Sequence, residues 1–199
     1  PATFDAQAEE AICEDEGGAR LRDLARLSLA DYDEGAKRYK LHDLARLFAA
    51  ARLTDADRAE TGRRHAAHYA AVLAAADELF LKGGDSIKHG LDLFDAEWGN
   101  VQAGQAWAQA NVEENGAAAE LCNEYPNAGA YVLGLRQHPR ERIRWLEAAL
   151  KAARRLKRRD YEGNHLGNLG LAYADLGEPR KAIEYYEQAV VIAREIGDQ

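Results

Sequence analysis

Pro179-Arg180-Lys181-Ala182-Ile183-Glu184-Tyr185-Tyr186-Glu187-Gln188-Ala189-Val190-Val191-Ile192-Ala193-Arg194 repeats, in outline, a stretch forty residues earlier that begins at Pro139. At that offset Pro139/Pro179, Arg140/Arg180, Ile143/Ile183, Glu147/Glu187, Ala149/Ala189, Ala153/Ala193 and Arg154/Arg194 are identical, seven of sixteen positions without a gap. Leu146/Tyr186, Leu150/Val190 and Leu156/Ile196 keep apolar character. A period of this size is the signature of a stacked helical array. Ile183, Tyr186, Ala189, Val190, Ala193 and Ile196 recur every three or four residues, which predicts a helix with one buried stripe. Pro179 fits its first turn, where a missing N–H is harmless. Gly177 closes the helix before it, expected over 163–176.

The rest of the chain agrees with a mainly α fold. Ala fills 40 of 199 positions and Pro only four, and Ala is the strongest helix former. Thr54-Asp55-Ala56-Asp57 reads as a capping box that opens a long helix reaching about Leu81. After Gly83-Gly84, the spacing of Leu91, Phe94, Trp98, Val101 and Trp107 is helical again. Near the N-terminus the spacing gives two short helices over 4–13 and 19–27. Two extended segments, 28–32 and 38–41, flank the turn residues Asp33-Glu34-Gly35-Ala36. Helix, helix, hairpin and helix make a small winged helix. We expect residues 1–50 to form it and 51–122 to form a helical connector. Residues 123–199 are expected to form the repeats, degenerate over 123–159, with a first helix at 128–136, and well formed over 163–199.

Asn168-Leu169-Gly170-Leu171-Ala172-Tyr173, with Gly177, Ala182, Tyr186 and Ala189, resembles a tetratricopeptide repeat. The likeness implies close helix approach at Gly170, Ala182 and Ala189, filled by Leu169, Tyr173 and Tyr186. It also implies that the first helix of the hairpin lines a concave, peptide-binding face. Asn164, Asn168, Leu171 and Asp175 share one side of that helix and are the candidate contacts. The run Tyr39-Lys40-Leu41-His42-Asp43-Leu44-Ala45-Arg46-Leu47-Phe48-Ala49 resembles the end of the winged helix in the STAND family of signal-transduction ATPases (the NB-ARC type). Leu41-His42-Asp43 stands where that family has Met-His-Asp. The resemblance implies that His42 contacts the β-phosphate of ADP in a whole family protein. Asp43 is expected to orient locally or cap the helix that follows, since a carboxylate there can satisfy free N–H groups. Asp95-Ala96-Glu97-Trp98-Gly99-Asn100-Val101 is similar to the connector of some members. The chain contains no Gly-x-x-x-x-Gly-Lys-Ser/Thr, the loop that cradles phosphates. The nucleotide-binding part is therefore expected upstream, and ADP or ATP belongs to the whole protein, with no cofactor in this chain.

Charge and chemistry narrow the function. Net charge is −8, with residues 1–50 carrying seven basic and eleven acidic side chains. Between Arg136 and Arg159, ten basic residues face only Glu141 and Glu147. A nucleic-acid-binding winged helix that uses this stretch is the alternative reading. The acidic N-terminal unit and the absence of interleaved aromatic residues argue against it. No nucleophile–base motif is present, so an enzyme is not expected. His65 and His68 lack a third ligand for zinc. Trp98, Trp107 and Trp145 read as core. Cys13 and Cys122 read as reduced thiols of a cytoplasmic protein. No apolar run reaches the ~20 residues of a membrane span. The sequence has no Met, so a processed terminus or a piece of a longer protein is expected. The reading is a non-enzymatic sensor segment that binds a protein or peptide through its repeats. Tyr186, Val190 and Ala193 are expected to face inward, and a flank of Tyr185, Val191 and Ile192 to lie open. That flank would drive self-association through the C-terminal repeat, unless further 40-residue repeats follow.

Overall fold

The computed structural model describes residues 3–197, so the expected outer bounds at 1 and 199 lie outside the described residues. In chain order the elements are α1 (Ala6–Cys13), α2 (Ala19–Arg26), β1 (Ala30–Asp33), β2 (Arg38–Leu41), α3 (Asp43–Ala50), α4 (Asp55–Lys82), α5 (Ser86–Ala110), α6 (Gly116–Ala128), α7 (Ala130–Arg136), α8 (Pro139–Leu156), α9 (Arg159–Asp175) and α10 (Pro179–Gly197). The fold is mainly α, with one antiparallel hairpin in the register Ala30↔Leu41 to Asp33↔Arg38. Asp33 shapes its turn by accepting the Ala36 N–H at 2.9 Å.

The long hairpin α4–α5 is the spine. Thr54 and Asp57 form the expected capping box at the start of α4. Tyr69, Leu73 and Ala76 of α4 pack with Phe94 and Val101 of α5 in one apolar core. That core also takes Cys122 and Tyr125 from α6 and Trp145 from α8. Trp98 stacks on Trp145 with ring centroids 5.6 Å apart, and Tyr125 meets Trp145 edge-on at 6.1 Å. Aromatic pairs of this kind add to simple area burial. A second core of Ile143, Leu146 and Leu150 from α8, Leu166, Leu169 and Ala172 from α9, and Ile192 from α10 holds the C-terminal hairpin.

Two features of the middle and end of the chain differ from the sequence reading. The helix that pairs with α8 is α6, not the 128–136 segment. The 122/123 boundary therefore falls inside α6. The chain breaks at Gly129, where a Cβ would collide with the Leu73 side chain. The short α7 beyond the break packs against α4 and α5 instead. Asp77 of α4, a buried carboxylate, accepts the N–H groups of Tyr131 and Val132 at 3.0 and 2.8 Å. It thus caps the first turn of α7 from another helix, satisfying donors that the helix cannot satisfy itself. Burial pushes the Asp77 carboxyl up, and these two N–H bonds oppose that rise.

The second difference concerns α10. Its inward face is Ala182, Tyr185, Ala189 and Ile192, and Tyr173 stacks flat on Tyr185. The stripe read as buried is the open one: Ile183 is 56% and Val190 47% exposed, with Tyr186 and Ile196 also exposed. The expected flank is thus reversed for Tyr185 and Ile192, while Val191 is exposed as expected. A helix inside a stack has two apolar sides, one for each neighbour. On α8 the forty-residue equivalents Ile143 and Leu150 are each only 7% exposed, because α9 covers them. Close approach at Gly170 is as expected: a Cβ there would stand 2.5 Å from the Tyr186 ring.

Candidate interaction surfaces

A polar cluster fastens β2 to α5, and Arg64 of α4 pairs with Glu14 at 2.8 Å. Arg38 of β2 meets Glu97 of α5 with both guanidinium nitrogens, Nη2 to Oε2 at 2.9 Å and Nη1 to Oε1. Arg38 also donates to the Thr3 hydroxyl at 2.6 Å and the Thr3 carbonyl at 2.7 Å. Asn100, one turn after Glu97, donates to Glu97 Oε2 at 2.8 Å and to the Thr3 carbonyl at 2.9 Å. Both partners of the ion pair are largely buried, and the bonds to Glu97 push the Arg38 guanidinium up. Bidentate geometry of this kind fixes orientation as well as energy. Glu97 and Asn100 belong to the connector-like motif at 95–101. Their Glu-x-x-Asn spacing on one helix face was the signal for this role, and sequence reasoning passed over it.

His42 sits between β2 and α3. Its backbone N–H bonds the Leu29 carbonyl at 3.1 Å, and its own carbonyl accepts the Arg46 N–H at 2.9 Å. The imidazole is about half exposed, with Nε2 3.3 Å from Asp31 Oδ1. Asp43 does not cap α3: its carboxylate pairs with Arg46 at 3.4 Å, and no side chain bonds the free N–H groups. None of the eight residues of α3 is buried. Leu44 is 83% exposed, Leu47 and Phe48 lie open beside it, and Leu27 and Leu29 are exposed nearby in sequence. The Arg52 guanidinium covers the Phe48 ring at 3.5 Å. An apolar cluster of this kind on a water-facing helix makes α3 a candidate interaction surface. The sequence showed these apolar positions without showing that they lie largely open to water.

Asn164, Asn168, Leu171 and Asp175 follow one another along a single side of α9. Asn164, Leu171 and Asp175 are exposed and Asn168 is half-buried. Gly167, between them, has open space where a Cβ would stand. Asp175 lies 3.9 Å from Arg142 of α8, a guanidinium pushed down by burial. About a quarter turn round α9, the imidazole of His165 is fully buried and bonds Asn123 of α6 at 2.9 Å. Burial pushes His165 down to about 4, so it is neutral at physiological pH and serves as a packed link between α6 and α9. The four candidate contacts thus face away from both cores.

The basic stretch is not a free cationic strip. Arg136 pairs with Asp95, Arg142 with Asp175, Lys151 with Glu113, Arg154 with Glu162, Arg158 with Asp160, and Arg159 with Glu162 and Glu195. Six of the ten cations are therefore matched by carboxylates, all of which stand outside the stretch. Among the described residues, no cluster of three or more His, Cys, Asp or Glu side chains could hold a metal. His65 and His68 pack on the Tyr69 ring at 4.7 and 4.9 Å. Among the same residues, no helix is long and apolar enough to cross a membrane.

Residues 141–195, spanning α8 to α10, match the tetratricopeptide repeat family. No curated protein and no solved structure matches the chain.

Proposed function

We propose that this chain is the sensing and output portion of a STAND-type signalling switch. Its repeats bind a protein or peptide, and its N-terminal unit couples to a nucleotide-binding domain outside the chain. The match over 141–195 supports protein binding through the repeats. The exposed line Asn164, Asn168, Leu171 and Asp175 on α9 offers amide and carboxylate groups for peptide backbone and cationic side chains, with Leu171 as an apolar contact. In this reading residues 3–50 are a winged helix, the spine α4–α5 is the connector, and the protein works in the cytoplasm without catalysing a reaction itself.

The observation that carries the coupling half of the proposal is α3. A helix with Leu44, Leu47 and Phe48 in water is unusual in a domain that works alone. It stands directly after His42, whose half-exposed ring is presented at the same edge. A nucleotide-binding domain packed there would cover the apolar cluster and bring the ADP phosphate to His42. ADP or ATP would then be held mainly by that domain, with His42 as this chain's single contact. The pairing of cations of 136–159 with carboxylates outside that stretch weighs against the nucleic-acid alternative.

The test is the coding sequence upstream of residue 1. A Gly-x-x-x-x-Gly-Lys-Ser/Thr loop there supports the proposal, and an upstream region without one overturns it. The isolated chain should bind ADP no tighter than micromolar by calorimetry, since one histidine cannot replace a phosphate cradle. Sub-micromolar binding would contradict that division of labour.

The open stripe Ile183, Tyr186, Val190 and Ile196 carries the self-association part of the proposal. A self-complementary apolar face is suited to a two-fold contact with a second copy, in which each α10 covers the other as α9 covers α8. Solution scattering should show a mass that rises with concentration toward the dimer. Val190→Glu, at an exposed site, should hold the chain monomeric without loss of fold. A wild-type chain that stays strictly monomeric up to millimolar concentration rejects this contact.

A further inference from the structure

The repeat contains its own example of how a helix like α10 is covered. On α8, the apolar residues Ile143 and Leu150 lie under α9. The same contact serves a charged row beside them. Arg154 of α8 pairs with Glu162 of α9 at 2.8 Å, and the Tyr173 hydroxyl of α9 lies 3.5 Å from the Glu147 carboxylate. The covering helix thus brings a carboxylate to Arg154 and a hydrogen-bond donor to Glu147. Forty residues on, Glu187 and Arg194 repeat these two residues on α10. Both are exposed. The ion pairs of α10 are Lys181 with Glu178 and Glu195 with Arg159, and among the described residues Glu187 and Arg194 have none. They stand about two helical turns apart, on the side of the helix that carries Ile183 and Val190. Along that side Tyr186, Val190, Ala193 and Ile196 wall an open groove of about 560 Å³ between α9 and α10. A cover for α10 must therefore match an apolar stripe, a carboxylate and a guanidinium together.

We propose that this cover is α10 of a second copy, laid antiparallel, with Glu187 of each chain on Arg194 of the other. The register rests on the self-association proposed above and specifies it. A two-fold contact pairs each residue with its counterpart in both directions. One helix that carries both charges therefore satisfies both at once. Each chain supplies the carboxylate that Glu162 gives to Arg154, and the donor that Tyr173 gives to Glu147. The direction also follows the internal example, since α9 runs antiparallel to α8, with Arg154 near its start and Glu147 near its end. The midpoint of Glu187 and Arg194 falls between Val190 and Val191. The two-fold axis passes there, and the apolar contact is centred on Val190. A parallel pairing would set Glu187 against Glu187 and Arg194 against Arg194, which repel. An antiparallel register on Arg180 and Glu187 would match charge as well. Its axis falls between Ile183 and Glu184, however, and it carries Val190, Ala193 and Ile196 beyond the partner helix, which starts at Pro179.

Charge reversal on the full chain tests the register. Self-association is read by sedimentation equilibrium, and far-UV circular dichroism checks that each variant is folded. Glu187→Arg sets two cations against each other, and Arg194→Glu sets two carboxylates against each other. Each substitution acts twice in a two-fold contact. Each should therefore weaken self-association about tenfold or more at low salt. The two variants mixed in equal amounts should associate again, now as a heterodimer in which both pairs have opposite charge. The double variant Glu187→Arg with Arg194→Glu should recover association by itself. High salt should narrow the difference between the wild type and the single variants, because exposed charges are screened. A wild-type chain that dimerises while both single variants dimerise equally well would overturn the register and leave self-association standing. So would a mixture that fails to recover. A wild-type chain that stays monomeric up to millimolar concentration would overturn the register and the self-association on which it rests.

Discussion

Arg38→Ala should lower stability by about 3–5 kcal/mol, because it leaves Glu97 as a buried carboxylate without its cation. The bond network explains the size. Arg38 joins Glu97 through a two-pronged pair and binds Thr3 twice, so one substitution strips four hydrogen bonds from a buried cluster. Glu97→Ala should cost a similar amount for the mirror reason. Arg38→Lys keeps a charge but loses the planar fork, and should fall between. The double variant Arg38→Met with Glu97→Met removes both charges together. It should recover more than half of the single-variant loss, since buried pairs are often replaceable by apolar residues of similar volume. Chemical denaturation of the four variants gives these numbers. The damage should also be local. Hydrogen exchange should accelerate in α1 and in β1–β2, while α8 to α10 keep their protection, because the network ties only the N-terminal unit to α5. A loss below about 1 kcal/mol for either single variant would show that the pair contributes no more than a surface salt bridge.

This cluster marks where sequence reading reached its limit. Local chemistry was legible. The Thr54/Asp57 capping box, the hairpin turn at Asp33–Ala36 and the helix start at Pro179 all depend on residues within a few positions of one another, and all lie where the sequence put them. Trp98 and Trp107 were legible from helical spacing, and both pack against the core that holds Trp145. Arg38 and Glu97 are 59 residues apart, and no periodicity connects them. Asp77 and the α7 backbone meet across a similar gap. The α10 stripe failed for a different reason. Spacing finds the apolar sides of a helix, but only the presence of a neighbour decides which side is covered. Tyr185 and Ile192 lean on α9, whereas among the described residues no helix covers Ile183 and Val190 as α9 covers Ile143 and Leu150. Of the candidate site, the α9 line keeps its expected common side, and His42 keeps its expected place at the strand-to-helix junction. The exposed α3 surface was not legible, because exposure is a property of the packed chain.

Gly90→Ala should destabilise the protein by about 2 kcal/mol, although helix propensity alone predicts the opposite. Gly90 lies inside α5, and replacing a mid-helix Gly by Ala ordinarily gains about 1 kcal/mol. Here the added Cβ would stand 2.5 Å from the Ala76 carbonyl oxygen and 2.8 Å from the Phe80 nitrogen. Both are backbone atoms of α4, so no side-chain rotation can relieve the contact. The two helices of the spine must separate, and forcing a packed core apart costs about 1–3 kcal/mol or more. The steric term therefore exceeds the propensity gain, and Gly90→Val, with its β-branch against the same backbone, should be worse. Gly167→Ala is the control. Gly167 is also inside a helix, but no atom lies within 4 Å of the place its Cβ would take, so propensity should act unopposed and raise stability by up to about 1 kcal/mol. Thermal and urea denaturation of both variants tests the pair. Opposite signs for the two substitutions would confirm that the spine is set by backbone contact at Gly90. A neutral or stabilising Gly90→Ala would mean that α4 and α5 are farther apart in solution.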